Sequence, residues 1–179
     1  MAVCGRIPRG APFLPAARTL QIGTGTGWDM TMYKHILIAT DGSDLAKKAA
    51  GEGFALAKSL GAKVTAVTVT EQWSAISMAA KAQRGTSNPV EAFEQHAQAA
   101  ADRILRDVAA EASSRGVTCA TVHVKDREPA EGIIDAAKTS GCDLIVMASH
   151  GRRGLSRLLL GSQAARVVTA SEVPVLVCR

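Results

Sequence analysis

From about residue 35 onward, the hydrophobic positions switch repeatedly between two patterns. Short apolar runs rich in Val, Ile and Thr are typical of strands buried in a sheet. These runs cover residues 35–40, 63–70, 117–125, 143–148 and 173–178. Segments with apolar residues at helical spacing predict helices over 44–60, from 88 to about 115, over 129–141 and from about 162. The segment 71–87 has mixed signals and predicts a long loop with about one helical turn.

Boundary residues support the helix assignments. Asn88 is in the N-cap position, Pro89 follows at the first helical position, and Glu91 is placed as the acid of a capping box. Gly61 and Gly141 are placed to end the first and third predicted helices.

Strands and helices alternate strictly, which defines the fold class as α/β. Right-handed crossovers then produce an open, doubly wound, five-stranded parallel sheet with helices on both faces, a Rossmann-like arrangement. Ligands of such sheets bind beyond the carboxyl ends of the strands, where the strand order reverses. We therefore expect the functional site just after the first and fourth strands.

Residues 1–31 differ from the rest of the chain, because Gly, Pro and Thr interrupt every apolar pattern. We expect a disordered N-terminal extension there, with the natural start at Met30 or Met32, and one domain over residues 32–179. Gly10, Pro12 and Pro15 interrupt the apolar residues, so a secretory signal is not predicted.

Composition narrows the choice of partners. Hydrophobic residues make up 47% of the 179-residue chain and aromatic residues 3%, so the core is aliphatic. The net charge is +5, but no run of Lys and Arg is interleaved with aromatic residues, and nucleic-acid binding is not expected. Since no apolar stretch approaches about 18 residues, no membrane span is expected either.

The cysteines suggest a reducing compartment. Cys4, Cys119, Cys142 and Cys178 show no C-x-x-C spacing and no clustered His, and three of them lie within or beside apolar runs. This predicts buried free thiols, no metal site and a cytoplasmic location.

Thr40-Asp41-Gly42-Ser43 follows the first strand. The Asp41 carboxylate at the strand end could meet a purine base or a metal. Alternatively, Asp41 or Ser43 caps the next helix, whose first N–H groups need acceptors. The residues leave both interpretations open, and both can hold together.

A second cluster of polar and glycine residues follows the fourth strand. Gly151 and Gly154 can adopt backbone angles closed to other residues and permit close approach of a ligand. Gly161-Ser162 opens a helix, and a helix N-terminus attracts anions. Arg152, in the same loop, could add positive charge. Together these features favour phosphate binding over a plain loop.

This segment resembles the nucleotide signature of the universal stress protein family, Gly-x2-Gly-x9-Gly-Ser/Thr. Nine residues separate Gly151 from Gly161, and Ser162 follows. Residues 36–43 and 173–177 also resemble the two ends of that family's domain, so the likeness covers residues 32–179. One position departs from the pattern, because Ala148 stands where the family has its first glycine.

The resemblance implies a site for an adenine nucleotide, ATP, with or without Mg²⁺. It places the adenine and ribose near Ala39, Thr40, Asp41 and Val69. It places the phosphates at Gly151, Gly161, Ser162, Gln163 and Ala164, where Ala164 has only its backbone N–H to offer. Met147, Ala148 and Arg152 complete the predicted nucleotide-binding set. With few aromatic residues available, we expect the base to be read by backbone groups near Val69 and by Asp41.

Three functions compete. The first is a nucleotide-dependent regulatory or protective module of the stress response, with a homodimer formed through strand 173–178 as the resemblance implies. The second is a weak ATPase, although no catalytic residue is predicted and any hydrolysis would be slow. The third is a nucleotide-free dimerising scaffold, which Ala148 keeps open. His96 and His123 are expected to serve packing or surface roles, whereas His150 adjoins the phosphate loop.

Overall fold

The computed structural model describes residues 32–85, 87–151 and 160–179. The predictions for residues 1–31 therefore lie outside the described residues. The strands within them are β1 His35–Ala39, β2 Lys63–Val69, β3 Cys119–Val124, β4 Leu144–Ala148 and β5 Val175–Cys178. The helices within them are α1 Asp44–Leu60, α2 Ala75–Gln83, α3 Pro89–Ser114, α4 Pro129–Ser140 and α5 Ser162–Ala170.

The strands form one parallel sheet in the order β3-β2-β1-β4-β5. Ile38 in β1 pairs with Ala66 on one side and with Val146 on the other. Alternate residues of β1 point to opposite faces, so Ile36 and Ile38 pack with α1 and α3, whereas Leu37 and Ala39 pack with α4 and α5. This confirms the predicted open α/β sheet with helices on both faces.

Two helix glycines bring helices close to the sheet. A Cβ atom added to Gly53 of α1 would lie 2.8 Å from Cδ1 of Ile38. One added to Gly132 of α4 would lie 2.8 Å from Cγ1 of Val69. Both distances are shorter than any ordinary contact, so these helices can pack this closely only because glycine lacks a side chain.

The structure corrects the prediction for residues 71–87. Instead of a loop with about one turn, it contains the nine-residue helix α2. The Ser74 side chain caps this helix by accepting a hydrogen bond from the Ser77 N–H at 3.2 Å. Met78 is the buried residue of α2, so the segment lacks the apolar stripe by which amphipathic helices are recognised.

Helix boundaries agree with the sequence signals with one exception. Gly61 and Gly141 end α1 and α4 in the left-handed conformation, with φ of 65° and 66°. Asn88 precedes α3, but its side chain makes no cap hydrogen bond. Its Nδ2 instead donates to Oε2 of Glu91 at 2.8 Å, so the predicted capping box is wrong.

None of the described helices is both long and apolar enough to cross a membrane.

Candidate functional site

The strand order places a crevice at the centre of the sheet. From β1 the chain moves outward to β2 and β3, then returns to β4 on the other side of β1. The connections after β1 and β4 therefore diverge, and a ligand can enter between them. A cleft of about 630 Å³ opens at this position, a volume typical of small-molecule sites.

The cleft gathers the site residues predicted from the sequence, as far as they are described. Its lining includes Ala39, Thr40, Asp41, Val69, Met147, Ala148, Gly151, Gly161, Ser162, Gln163 and Ala164. Arg152 and Gly154 lie outside the described residues.

The turn after β1 shows which residue caps α1. The Ser43 hydroxyl caps α1 by accepting a hydrogen bond from the Ala46 N–H at 3.3 Å. Oδ1 of Asp41 accepts a hydrogen bond from the Ser43 N–H at 3.0 Å, and the Thr40 hydroxyl accepts one from the Gly42 N–H at 3.2 Å. Ser43 is therefore the cap, while Asp41 braces the turn and also lines the cleft.

Gly151 and Gly161 are sites of close approach. A Cβ atom at Gly151 would lie 2.8 Å from Oδ2 of Asp41, and one at Gly161 would lie 2.9 Å from the backbone oxygen of Ser149. Neither glycine has a left-handed backbone, and Gly161 has an ordinary extended conformation with φ of −61°. Gly151 therefore does not use the left-handed angles open to glycine, and its lack of a Cβ leaves space for the Asp41 carboxylate.

Helix α5 begins at the cleft without a side-chain cap. Gly161 is in the N-cap position, and its N–H donates to the Ser149 carbonyl at 2.9 Å. The N–H groups of the first turn, from Ser162 to Ala164, are the donors that a helix cannot satisfy internally. Together with the helix dipole, they make this end of the cleft attractive to an anion.

Side chains hold the start of α4 beside the start of α5. Oε1 of Gln163 accepts a hydrogen bond from the Ala130 N–H at 3.1 Å. Arg166 of α5 forms an ion pair with Glu128 and a longer one with Glu131, at 3.7 Å. Two helix N-termini therefore meet at this part of the cleft, and a hydrogen bond to the Gln163 side chain links them.

One wall of the cleft is formed by residues outside the set predicted from the sequence. The first half of α3 lines it with Phe93, His96, Ala97 and Ala100, and His150 lines it as well. The spacing of the four α3 residues was a visible signal, since such positions share one helix face. The sequence pattern gave only His96 an expected role, in packing or at the surface, because periodicity does not show what a helix face contacts.

His123 contacts a residue of the cleft lining, Thr70. Nε2 of His123 is 2.7 Å from the hydroxyl oxygen of Thr70, which lines the cleft. Nδ1 of His123 is buried and has no hydrogen-bond partner among the described residues. Burial lowers the pKa of His123, and the nearby Lys125 lowers it further.

The described cysteines are free thiols. Burial raises the pKa of Cys142 and of Cys178 to about 11, with smaller contributions from Asp143 and Glu52 respectively. These thiols are protonated at neutral pH and are poor nucleophiles. Cys119 is only partly buried, which departs from the expected burial. No three His, Cys, Asp or Glu residues of the described segments cluster as a metal site would require.

Comparison with known proteins gives consistent results. A family model described as the universal stress protein family matches residues 32–179. A universal stress protein of Methanocaldococcus jannaschii is 34% identical over 148 residues, which is 83% of each chain. The solved structure of protein MJ0577 from the same organism aligns with a TM-score of 0.66 and 27% identity, over 82% of this chain and 96% of the other. A universal stress protein in complex with cAMP has the same fold, with a TM-score of 0.60 and 23% identity over 82% and 97% of the chains.

Proposed function

The chain belongs to the universal stress protein family, and we propose that its central cleft binds an adenine nucleotide, ATP. Through this ligand the protein would act as a regulatory or protective module in the stress response. The observation that carries the proposal is the uncapped start of α5 at the cleft, beside two glycines at which a Cβ atom would collide with its neighbours. These features together suit phosphate groups that approach the backbone closely.

The phosphate end would lie between Gly151 and Gly161. The backbone N–H groups of Ser162, Gln163 and Ala164 would donate to phosphate oxygens, because no side chain caps them. No Lys or Arg of the described segments lines the cleft, so backbone groups and helix dipoles supply the attraction there.

Ala148 is compatible with this arrangement. It is the last residue of β4 and pairs with Cys178 of β5, so its backbone is ordinary strand that any residue adopts. Its side chain is nearly buried, at 8% exposure. The methyl group that replaces the family's glycine therefore does not distort the strand, and the cleft remains open beside it.

The base end would lie near the carboxyl ends of β1 and β2. Ala39 and Val69 line the cleft there, with Met147 from β4 beside them. The neighbour solved with cAMP supports the proposal to the extent that this fold holds an adenine nucleotide in another protein.

Rapid hydrolysis is not part of the proposal. Phosphoryl transfer to water needs metal ions on the phosphates and a group that orients the attacking water. Asp41, which lies against Gly151, is placed to meet a Mg²⁺ ion carried by ATP. No cluster of three potential metal ligands supports it in the described residues. We therefore expect a binding module with at most slow turnover.

Calorimetry with ATP and GTP at physiological salt and Mg²⁺ tests the proposal. We expect ATP to bind in preference to GTP and to raise the thermal midpoint of unfolding. Gly161→Val should abolish binding, because its Cβ would lie 2.9 Å from the Ser149 backbone oxygen and a branched side chain there would displace the start of α5. Asp41→Ala should weaken binding less. If ATP produces no heat and no thermal protection, the nucleotide-free scaffold becomes the better hypothesis.

We further propose a homodimer in which β5 pairs with β5 of a second copy, antiparallel across a two-fold axis. β5 is an edge strand of the sheet, and Leu176 is 39% exposed. The carbonyls of Pro174 and Cys178 accept hydrogen bonds from the β4 side, so Val175 directs its N–H outward. An apolar edge with free backbone groups favours pairing.

Light scattering at micromolar concentration tests the dimer. Val175→Pro removes an outward N–H without removing a bond to β4, so the variant should become monomeric. Val175→Ala keeps this N–H and should remain dimeric. A monomeric wild-type protein would refute the proposed pairing.

A further inference from the structure

Helix α3 extends beyond the part of the sheet that it covers. It has 26 residues, and its buried positions, Ala101, Leu105, Val108 and Ala112, begin only at the thirteenth residue. At 1.5 Å per residue, the first twelve residues add about 18 Å of helix. The first half therefore contributes little to the core.

One face of this first half looks into the cleft. This face carries Phe93, His96, Ala97 and Ala100, which all line the cleft. It continues toward the C-terminus of the helix with Ala101 and Ile104, which also line it. These spacings of three and four residues form one continuous stripe on a helix. The stripe thus forms a wall of the cleft before it reaches the sheet.

The chemistry of this wall differs from that of the phosphate end. Phe93 presents a ring, while Ala97 and Ala100 on the next turn have small side chains that leave room beside it. Nζ of Lys81, on α2, lies 5.4 Å from the centre of the Phe93 ring. A cation over one face of the ring leaves the opposite face for another planar group.

We propose that Phe93 stacks on the base of the bound nucleotide, so that α3 supplies a recognition element outside the glycine-containing loop. This inference rests on the proposed function. A base is the fitting occupant because the wall is apolar, aromatic and free of Lys and Arg among the described lining residues. The sugar and phosphates would then extend toward Gly151 and the start of α5. Aromatic stacking is tolerant of base identity, so it adds affinity more than it selects adenine.

Phe93→Leu tests the stacking, because it removes the ring and keeps an apolar side chain of similar size. We expect its affinity for ATP to fall about tenfold. Its affinity for inorganic tripolyphosphate, which has no base, should not change. Glu94→Gln is the matched control, since Glu94 is exposed on the same turn and does not line the cleft.

Phe93→Trp provides a spectroscopic test. Stacking of a base should quench the fluorescence of the new indole when ATP is added, measured as the difference from the wild-type protein. Tripolyphosphate should leave the emission unchanged. Circular dichroism melts would show that both Phe93 variants fold.

The outcomes separate the two proposals. If the wild-type protein binds ATP and Phe93→Leu binds it equally well, the stacking is refuted and nucleotide binding stands. If the wild-type protein binds no ATP, the proposed function fails and the stacking fails with it. A parallel loss of ATP and tripolyphosphate affinity in Phe93→Leu would show a general distortion of the cleft and would also refute the stacking.

Discussion

Gly161→Ala should destabilise the protein through one backbone contact. The added Cβ would lie 2.9 Å from the Ser149 oxygen, which also accepts the Gly161 N–H. The Ser149 N–H in turn donates to the Cys178 carbonyl at 2.8 Å, so Ser149 cannot move without disturbing β5. The new methyl group therefore meets a backbone that is held on two sides.

The magnitude follows from two opposing effects. Overpacking of a rigid contact costs about 1–3 kcal/mol. Gly161 has φ of −61° and ψ of 150°, which alanine adopts easily. The substitution therefore lowers the conformational entropy of the unfolded chain, which stabilises the folded protein by about 0.4–1 kcal/mol. The midpoints of these two ranges give a net loss of about 1.3 kcal/mol, which should lower the thermal midpoint of a domain of this size by about 3–5 °C.

Gly151→Ala is the comparison that isolates the cause. Its Cβ would lie 2.8 Å from Oδ2 of Asp41, a side chain held by the hydrogen bond from the Ser43 N–H to its Oδ1. Moving this carboxylate strains a side-chain hydrogen bond, whereas moving Ser149 disturbs the backbone and β5. Thermal unfolding followed by circular dichroism should therefore show a smaller loss for Gly151→Ala than for Gly161→Ala. If Gly161→Ala keeps or raises the wild-type midpoint, the contact with Ser149 is not rigid and the reasoning is refuted.

Three further predictions concern groups away from the cleft loop. Because burial lowers the pKa of His123 below its ordinary value of 6.5, the unfolded chain binds this proton first as pH falls. The free energy of unfolding should hence decrease below about pH 6.5, and less so in His123→Gln. Cys142 and Cys178, whose pKa is raised from 9.0 to about 11, should react with iodoacetamide at pH 8 about a hundredfold more slowly in the folded than in the unfolded protein. Gly53→Ala should destabilise the protein by about 1–3 kcal/mol, because its Cβ would press against the sheet. Gly51→Ala, whose Cβ would meet only the ends of the Arg115 and Glu111 side chains, should gain up to about 1 kcal/mol from helix propensity.

Each of these predictions has a clear contrary result. An unchanged slope of stability against pH in His123→Gln would show that another group causes the acid sensitivity. Equal alkylation of folded and unfolded Cys142 and Cys178, read by peptide mass spectrometry, would show that burial does not protect them. Equal melting temperatures for Gly53→Ala and Gly51→Ala would show that α1 can move away from the sheet.

Local signals in the sequence determined most of the fold. The five apolar runs predicted strands, and the nearly continuous run of β4 predicted a strand covered on both faces. The outer strands β3 and β5 are partly exposed. Gly61 and Gly141 marked helix ends because the left-handed conformation favours glycine. Strict alternation and right-handed crossovers then led to the parallel sheet and to a site after β1 and β4.

Signals that depend on context were missed or misread. Helix α2 was predicted as a loop because Met78 alone of its residues is buried, so no apolar stripe marks it. Gly151 was predicted to offer both backbone freedom and close approach, and the structure shows an ordinary sign of φ with a need for space beside Asp41. A glycine in a sequence cannot distinguish these two reasons, since both require the absence of Cβ.

The far wall of the cleft was decided by tertiary structure alone. Periodicity shows that Phe93, Ala97 and Ala100 share a helix face. It does not show whether that face packs on a sheet, is exposed to solvent or lines a ligand site. That choice depends on where α3 crosses the sheet and on how far it extends beyond the ends of β1 and β2. Neighbouring residues determine secondary structure over a few turns, whereas the partner of a helix face is set by packing between segments far apart in the chain.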